Sequence, residues 1–122
     1  MGFLQKHELG RWGEQTANDF LAQQGVKILA KNYRSRYGEI DLIGWDGDSL
    51  VFFEVKTRQS LHFGSPDQAV AGDKIKHIIN TALIYISTYY HQEPLWRIDI
   101  ISINRNPKSN SYDVQWIKNA AA

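Results

Sequence analysis

The apolar residues of this chain change period several times, and each change marks an element. Between Glu8 and Gln24, Leu9, Trp12, Ala17, Phe20 and Leu21 recur near helical spacing, with Gly25 at the stop. Val26–Asn32 then sets Val26, Ile28 and Ala30 against Lys27, Leu29 and Lys31, the alternation of a strand at a sheet edge. Two short apolar runs follow, Ile40–Trp45 and Leu50–Val55, joined by Asp46, Gly47, Asp48 and Ser49. An Asp-Gly pair between β-branched and aromatic residues predicts a tight hairpin. Alternate strand side chains share a face, which pairs Glu39 with Asp41, Ile40 with Leu42, and Glu54 with Lys56. Val51, Phe53 and Val55 then form the opposite face of the second strand.

Beyond a connection at Gln59–Gly64, Ser65, Pro66, Asp67 and Gln68 carry a helix start: serine at the N-cap, proline at the first position and Gln68 closing a capping box. Gly72 and Asp73 either interrupt this helix or restart it. Ile75, Ile78, Ile79, Ala82, Leu83 and Ile86 then form one apolar helical stripe, and Pro94 ends it. Leu95–Ile103 predicts a strand with Trp96, Ile98 and Ile100 on one face, and Tyr112–Ile117 a final strand pairing with it as a hairpin. Asn119–Ala122 should fray. The third and fourth strands flank a helical crossover, so they should run parallel.

Composition narrows the class. The 122 residues suit a single domain, and a 43% hydrophobic fraction supports one packed core. A formal net charge of +1 excludes a uniformly basic, histone-like binder while leaving room for local basic patches. The lack of cysteine removes disulfides, thiolate metal sites and thiol catalysis. The N-terminal segment has no long apolar run, so no signal peptide or membrane span is expected and the cytoplasm is the default location. His7, His62, His77 and His91 show no zinc-ligand spacing.

Ionised side chains are out of place in the most apolar, strand-like part of the chain, because burying them without partners is costly. Asp41 and Glu54 stand in neighbouring predicted strands there, in the arrangement D-x(12)-E-x-K completed by Lys56. Two adjoining carboxylates raise each other's pKa unless a cation neutralises them, and Mg2+ or Mn2+ prefers such oxygen ligands. Lys56 would then stabilise an anion or orient a water. The arrangement predicts a phosphodiester-cleaving site, against an alternative in which Glu54 and Lys56 form an ordinary ion pair of little worth. Before it, Tyr33–Tyr37 is either a solvated loop or a phosphate- and base-contacting surface in which Arg34 and Arg36 take phosphate and the tyrosines stack. Arg58 and Lys74 are further candidate nucleic-acid contacts.

GEIDLI followed by FFEVKTR, behind a first helix carrying GRWGE, resembles the PD-(D/E)XK nuclease superfamily, and more closely the small bacterial YraN-type family, which is similar to archaeal Holliday-junction resolvases. The resemblance extends from GRWGE to the RIDII strand. It departs from the superfamily's name where Ile40, not proline, precedes Asp41. The resemblance implies a restriction-endonuclease-like α/β fold in the order α-β-β-β-α-β-β, with helices flanking a mixed sheet. It also implies Asp41 and Glu54 as metal ligands with Lys56 as the catalytic cation. Glu14 on the first helix would help to hold the metal, and Gln68 would reach the site unless it serves only as a cap. Glu39 is an assisting, outer or merely exposed group, and Asp99 a structural hydrogen-bonding group. The activity implied is a Mg2+- or Mn2+-dependent endonuclease acting on structured or branched DNA, as a homodimer if paired incisions are made. Two alternatives stay open: a non-catalytic nucleic-acid-binding or interaction module that keeps the nuclease fold, and an RNA-directed nuclease.

Overall fold

The computed structural model describes residues 2–61 and 72–121. The elements run α1 (Lys6–Gln23), β1 (Lys27–Ser35), β2 (Gly38–Asp46), β3 (Ser49–Gln59), α2 (Gly72–Tyr89), β4 (Trp96–Arg105) and β5 (Tyr112–Ile117). This is the expected order, and among the described residues it builds one five-stranded sheet, β1-β2-β3-β4-β5. β3 and β4 are parallel and every other pair is antiparallel. The Asp-Gly hairpin closes as its composition predicts: Asp46 pairs with Ser49, and Gly47 takes the positive φ of 59° that a two-residue turn requires. The predicted helix start at Ser65–Gln68 lies outside the described residues, and so does Gln68.

A helix covers each face of the sheet. Ile40, Ile43, Leu50, Phe52 and Ile98 pack beneath Ile78, Ala82, Tyr85 and Ile86 of α2. Leu42, Val51, Phe53, Ile101 and Ile103 pack beneath Ala17 and Leu21 of α1. β3 alternates strictly between the two layers, as a central strand must when both of its faces are buried. α1 seats closely on β3 because Gly13 has no side chain; a Cβ there would run into the side chain of Thr57. The same seating carries Glu14 toward the carboxylates of the sheet.

Four expectations need correction. First, β1 extends to Ser35, and its register slips between Ile28 and Ala30; Ile28 packs on the α1 side while Leu29 and Ala30 pack on the α2 side. Gly44 lies opposite this slip, where any Cβ would meet the Lys27 carbonyl at 2.7 Å. Second, Ile40 and Leu42 do not share a layer: Ile40 joins the α2 side and Leu42 the α1 side. The reversal falls at Asp41, where β2 stops pairing with β3. Third, the α2 stripe is rotated. Thr81 and Tyr85 are buried, whereas Leu83 is 42% exposed. Tyr85 anchors that choice by packing edge-on to Tyr33 and Phe52. Fourth, Asn119–Ala121 are not frayed: the Asn119 N–H donates to Asp99 Oδ1 (2.7 Å) and the Ala120 N–H to the Ile98 carbonyl (2.9 Å).

Candidate functional site

The site forms where the β2–β3 ladder opens. That ladder runs from Asp46↔Ser49 to Leu42↔Phe53. One residue further along, the Val55 N–H donates to the Asp41 carboxylate, Oδ2, at 2.8 Å. A side chain thus takes the donor that a continuing ladder would give to backbone, and the strands part around Asp41 and Glu54. α2 crosses above the opening, with the Cβ of His77 3.7 Å from where one on Gly38 would lie. The resulting cavity, of about 500 Å3, is lined by Gly38, Glu39, Asp41, Glu54, Asp73, Lys74, His77 and Ile78. Asp41 and Glu54 therefore face one space, as their positions on adjacent strands predict.

Electrostatics set this cavity apart from the rest of the surface. Burial, then the neighbouring Glu54, push the Asp41 carboxyl up to about 7, although its bond from Val55 N–H works the other way. Glu54 has a side chain only 7% exposed, and its Oε1 holds the Lys74 ammonium at 2.7 Å. That contact raises the Lys74 pKa. Four carboxylates, Glu39, Asp41, Glu54 and Asp73, thus share the cavity wall with one lysine and one histidine.

The other predicted residues distribute around this centre. Glu14 lies in a second cleft with Glu39, which borders both spaces. With its amide nitrogen turned toward them, Asn32 bridges the two carboxylates, at 2.6 Å to Glu39 and 2.9 Å to Glu14. Burial and Glu39 raise the Glu14 pKa. Lys56 lines a separate cavity with Arg58 and Ser102, not the one that holds Asp41. Arg34 pairs with Glu39 (3.4 Å), and Arg36 sits at the β1–β2 turn over the ring of Tyr37, 5.0 Å from its centroid. Lys74, expected as a nucleic-acid contact, has its ammonium on Glu54 Oε1. Asn32 escaped sequence reading. An asparagine at the end of a strand pattern was its available signal, and the structure gives it the positive φ of 50° that asparagine tolerates.

Among the described residues, no three carboxylate or imidazole groups converge as a ready-made metal cage. That donor set still fits Mg2+, which keeps most of its waters and uses one or two protein carboxylates. Burial and then the neighbouring Glu54 disfavour the ionised form of Asp41, a cost that a bound cation would offset.

Stability follows from the same geometry. Asp41 binds its proton more tightly folded than unfolded, so the metal-free protein should be most stable below about pH 4 on this group's account. That contribution should fade as pH rises through about 7. The penalty for ionised Asp41 is up to roughly 4 kcal/mol. In chelator, the melting temperature of Asp41→Asn minus that of wild type should grow between pH 5 and pH 8. A constant difference would show that Asp41 is not strained.

The family model described as "Uncharacterised protein family UPF0102" matches residues 13–103, the span from Gly13 to Ile103. A UPF0102 protein of Caldicellulosiruptor saccharolyticus is 38% identical over 117 residues, covering 96% of this chain and 99% of the relative. One from Chlorobium phaeobacteroides is 48% identical over 103 residues, covering 84% and 81%. Another from Syntrophomonas wolfei is 44% identical over 96 residues, covering 79% and 84%. The matched span contains Glu14, Asp41, Glu54, Lys56 and Lys74.

Proposed function

This chain belongs to the UPF0102 family, within the restriction-endonuclease-like superfamily, and we propose that it is a divalent-metal-dependent endonuclease acting on structured or branched DNA. The observation that carries this reading is the parting of β2 from β3 at Asp41, which leaves the half-buried Asp41 and the buried Glu54 facing one cavity. The resemblance of GEIDLI and EVKTR to PD-(D/E)XK nucleases, and of the layout to Holliday-junction resolvases, supports the choice of DNA and of branched substrates. Fold alone does not determine substrate.

Asp41 and Glu54 would hold Mg2+ or Mn2+. When bound, such an ion polarises a phosphate and lowers the pKa of its water toward neutrality. Every other contribution belongs to the chain. The Val55 N–H fixes the Asp41 carboxylate. Asn32 fixes Glu14 and Glu39 behind it. Lys56, two residues past Glu54 on the same strand face though lining a different cavity, would stabilise negative charge developing on the phosphoryl oxygens. Arg34 borders the neighbouring cleft, and both Arg34 and Arg36 would suit phosphate.

Lys74 adds a requirement: its ammonium must leave Glu54 before a metal ion can take that oxygen. With a lysine side chain 55% exposed, the pair is worth at most about 1 kcal/mol. Lys74→Met should therefore bind Mn2+ up to about fivefold more tightly by titration calorimetry. An unchanged affinity would show that the ammonium and the ion do not compete.

The Lys74–Glu54 pair also favours a second reading. It satisfies Glu54 without metal, as a non-catalytic nucleic-acid-binding module would need. Incubation of the purified protein with a four-way DNA junction, and with its RNA counterpart, separates the possibilities. Cleavage of the DNA in Mn2+, abolished by chelator, supports the endonuclease. Junction binding in chelator without cleavage in either metal supports the binding module, and preferential cleavage of the RNA moves the substrate to RNA.

A further inference from the structure

Two glycines stand in the first half of α1, and the fold accounts for only one. Gly13 lets the helix seat against Thr57, but a Cβ on Gly10 would have nothing within 4 Å. A glycine inside a helix costs stability relative to alanine. Nothing among the described residues uses the small size of Gly10.

What lies in front of Gly10 is a cleft of about 590 Å3, whose walls include Lys6, His7, Arg11 and Arg34. Lys6 and Arg11 make no ion pair among the described residues. The two carboxylates of the cleft, Glu14 and Glu39, are engaged by Asn32, and Glu39 also by Arg34. Asn32 is neutral and leaves Glu14 its charge, but Lys6, Arg11 and Arg34 still outnumber Glu14 and Glu39 on the wall, so the cleft is positive by one charge. Glu39 borders both this cleft and the cavity of Asp41 and Glu54, so a chain lying in one leads directly to the other. Close approach over a bare helix backbone, flanked by an arginine fork and a lysine, suits a sugar–phosphate backbone.

We propose that this cleft seats the phosphate backbone of the nucleic acid beside the carboxylate cavity, with Gly10 as the point of closest approach. This rests on the substrate being nucleic acid, as proposed above, and not on the metal chemistry. It is therefore tested in chelator, by fluorescence anisotropy with a labelled four-way DNA junction. Gly10→Leu should melt at or above the wild-type temperature, because its side chain enters open space, yet bind the junction about tenfold more weakly. Gly10→Ala should raise the melting temperature at least as much, because alanine is the better helix former, but weaken binding less. Arg11→Ala should lower the slope of log affinity against log salt by about 1, the loss of one phosphate contact. Wild-type affinity in Gly10→Leu, or a melting temperature below wild type, overturns the proposal while leaving the endonuclease reading standing. A wild-type protein with no affinity for nucleic acid ends both.

Discussion

Asp41→Ala and Glu54→Ala proteins are expected to lose Mn2+-dependent junction cleavage by about 10³-fold or more, the loss of roughly 4 kcal/mol of transition-state stabilisation. Each substitution removes one of the two proposed metal-holding acids, and among the described residues no ready-made group of three ligands remains to replace it. The two variants should differ away from catalysis. Removing Asp41 frees the Val55 N–H and relieves the carboxyl that burial and Glu54 hold near 7, so above neutral pH the metal-free variant should be no less stable than wild type. Removing Glu54 deprives Lys74 of its partner and leaves the fold's charge balance more positive at that spot. Activity should fall together with calorimetric Mn2+ binding in both. Cleavage at the wild-type rate by either protein would assign the activity to a contaminant or to other residues.

Asp99→Ala is expected to cost about 3–5 kcal/mol of stability, the usual consequence of removing one partner from a buried charge pair. Asp99 is 0% exposed, and its carboxylate accepts from Arg97 Nε through both oxygens, at 3.0 and 3.1 Å, from Trp116 Nε1 at 2.9 Å and from the Asn119 N–H at 2.7 Å. Arg97 in turn reaches Asp46 at 2.7 Å, which holds Asp46 below the usual carboxylate range. One carboxylate thus joins β4 to β5, to the β2–β3 hairpin and to the C-terminal turn. Urea denaturation at neutral pH should show a lower midpoint at unchanged slope. Asp99→Asn, which keeps an acceptor oxygen, should lose less. Asp99 stands on the α1 side, since Ile98 before it packs on the α2 side with Lys74's helix. The folded fraction of either variant should therefore bind Mn2+ as wild type does. A stability loss under about 1 kcal/mol would contradict the network's role.

Much of this was legible in residue pattern alone. Alternation in Leu50–Val55 places Glu54 opposite the α1-facing residues, and the Asp-Gly turn brings Asp41 beside it. The helical stripe before Pro94 makes the parallel β3–β4 pair unavoidable. What pattern did not convey is where alternation breaks. Ile40 and Leu42 read as one face, yet β2 reverses at Asp41 because its carboxylate, not the backbone ladder, takes the Val55 N–H. The slip between Ile28 and Ala30 likewise depends on Gly44 in the neighbouring strand. In α2, Leu83 and Tyr85 compete for burial, and the aromatic partners Tyr33 and Phe52, remote in sequence, decide it. Lys74 on Glu54 and Asn32 between two glutamates are likewise long-range placements. The Asn119–Ala121 turn was missed because terminal composition says nothing about a buried acceptor waiting on β4.

Anomalous diffraction from a crystal soaked in Mn2+ tests the proposed metal site most directly. The predicted result is a peak between the carboxylates of Asp41 and Glu54, with the Lys74 ammonium turned away from Glu54. A saturating soak that leaves the cavity without a peak and Lys74 still on Glu54 would contradict it.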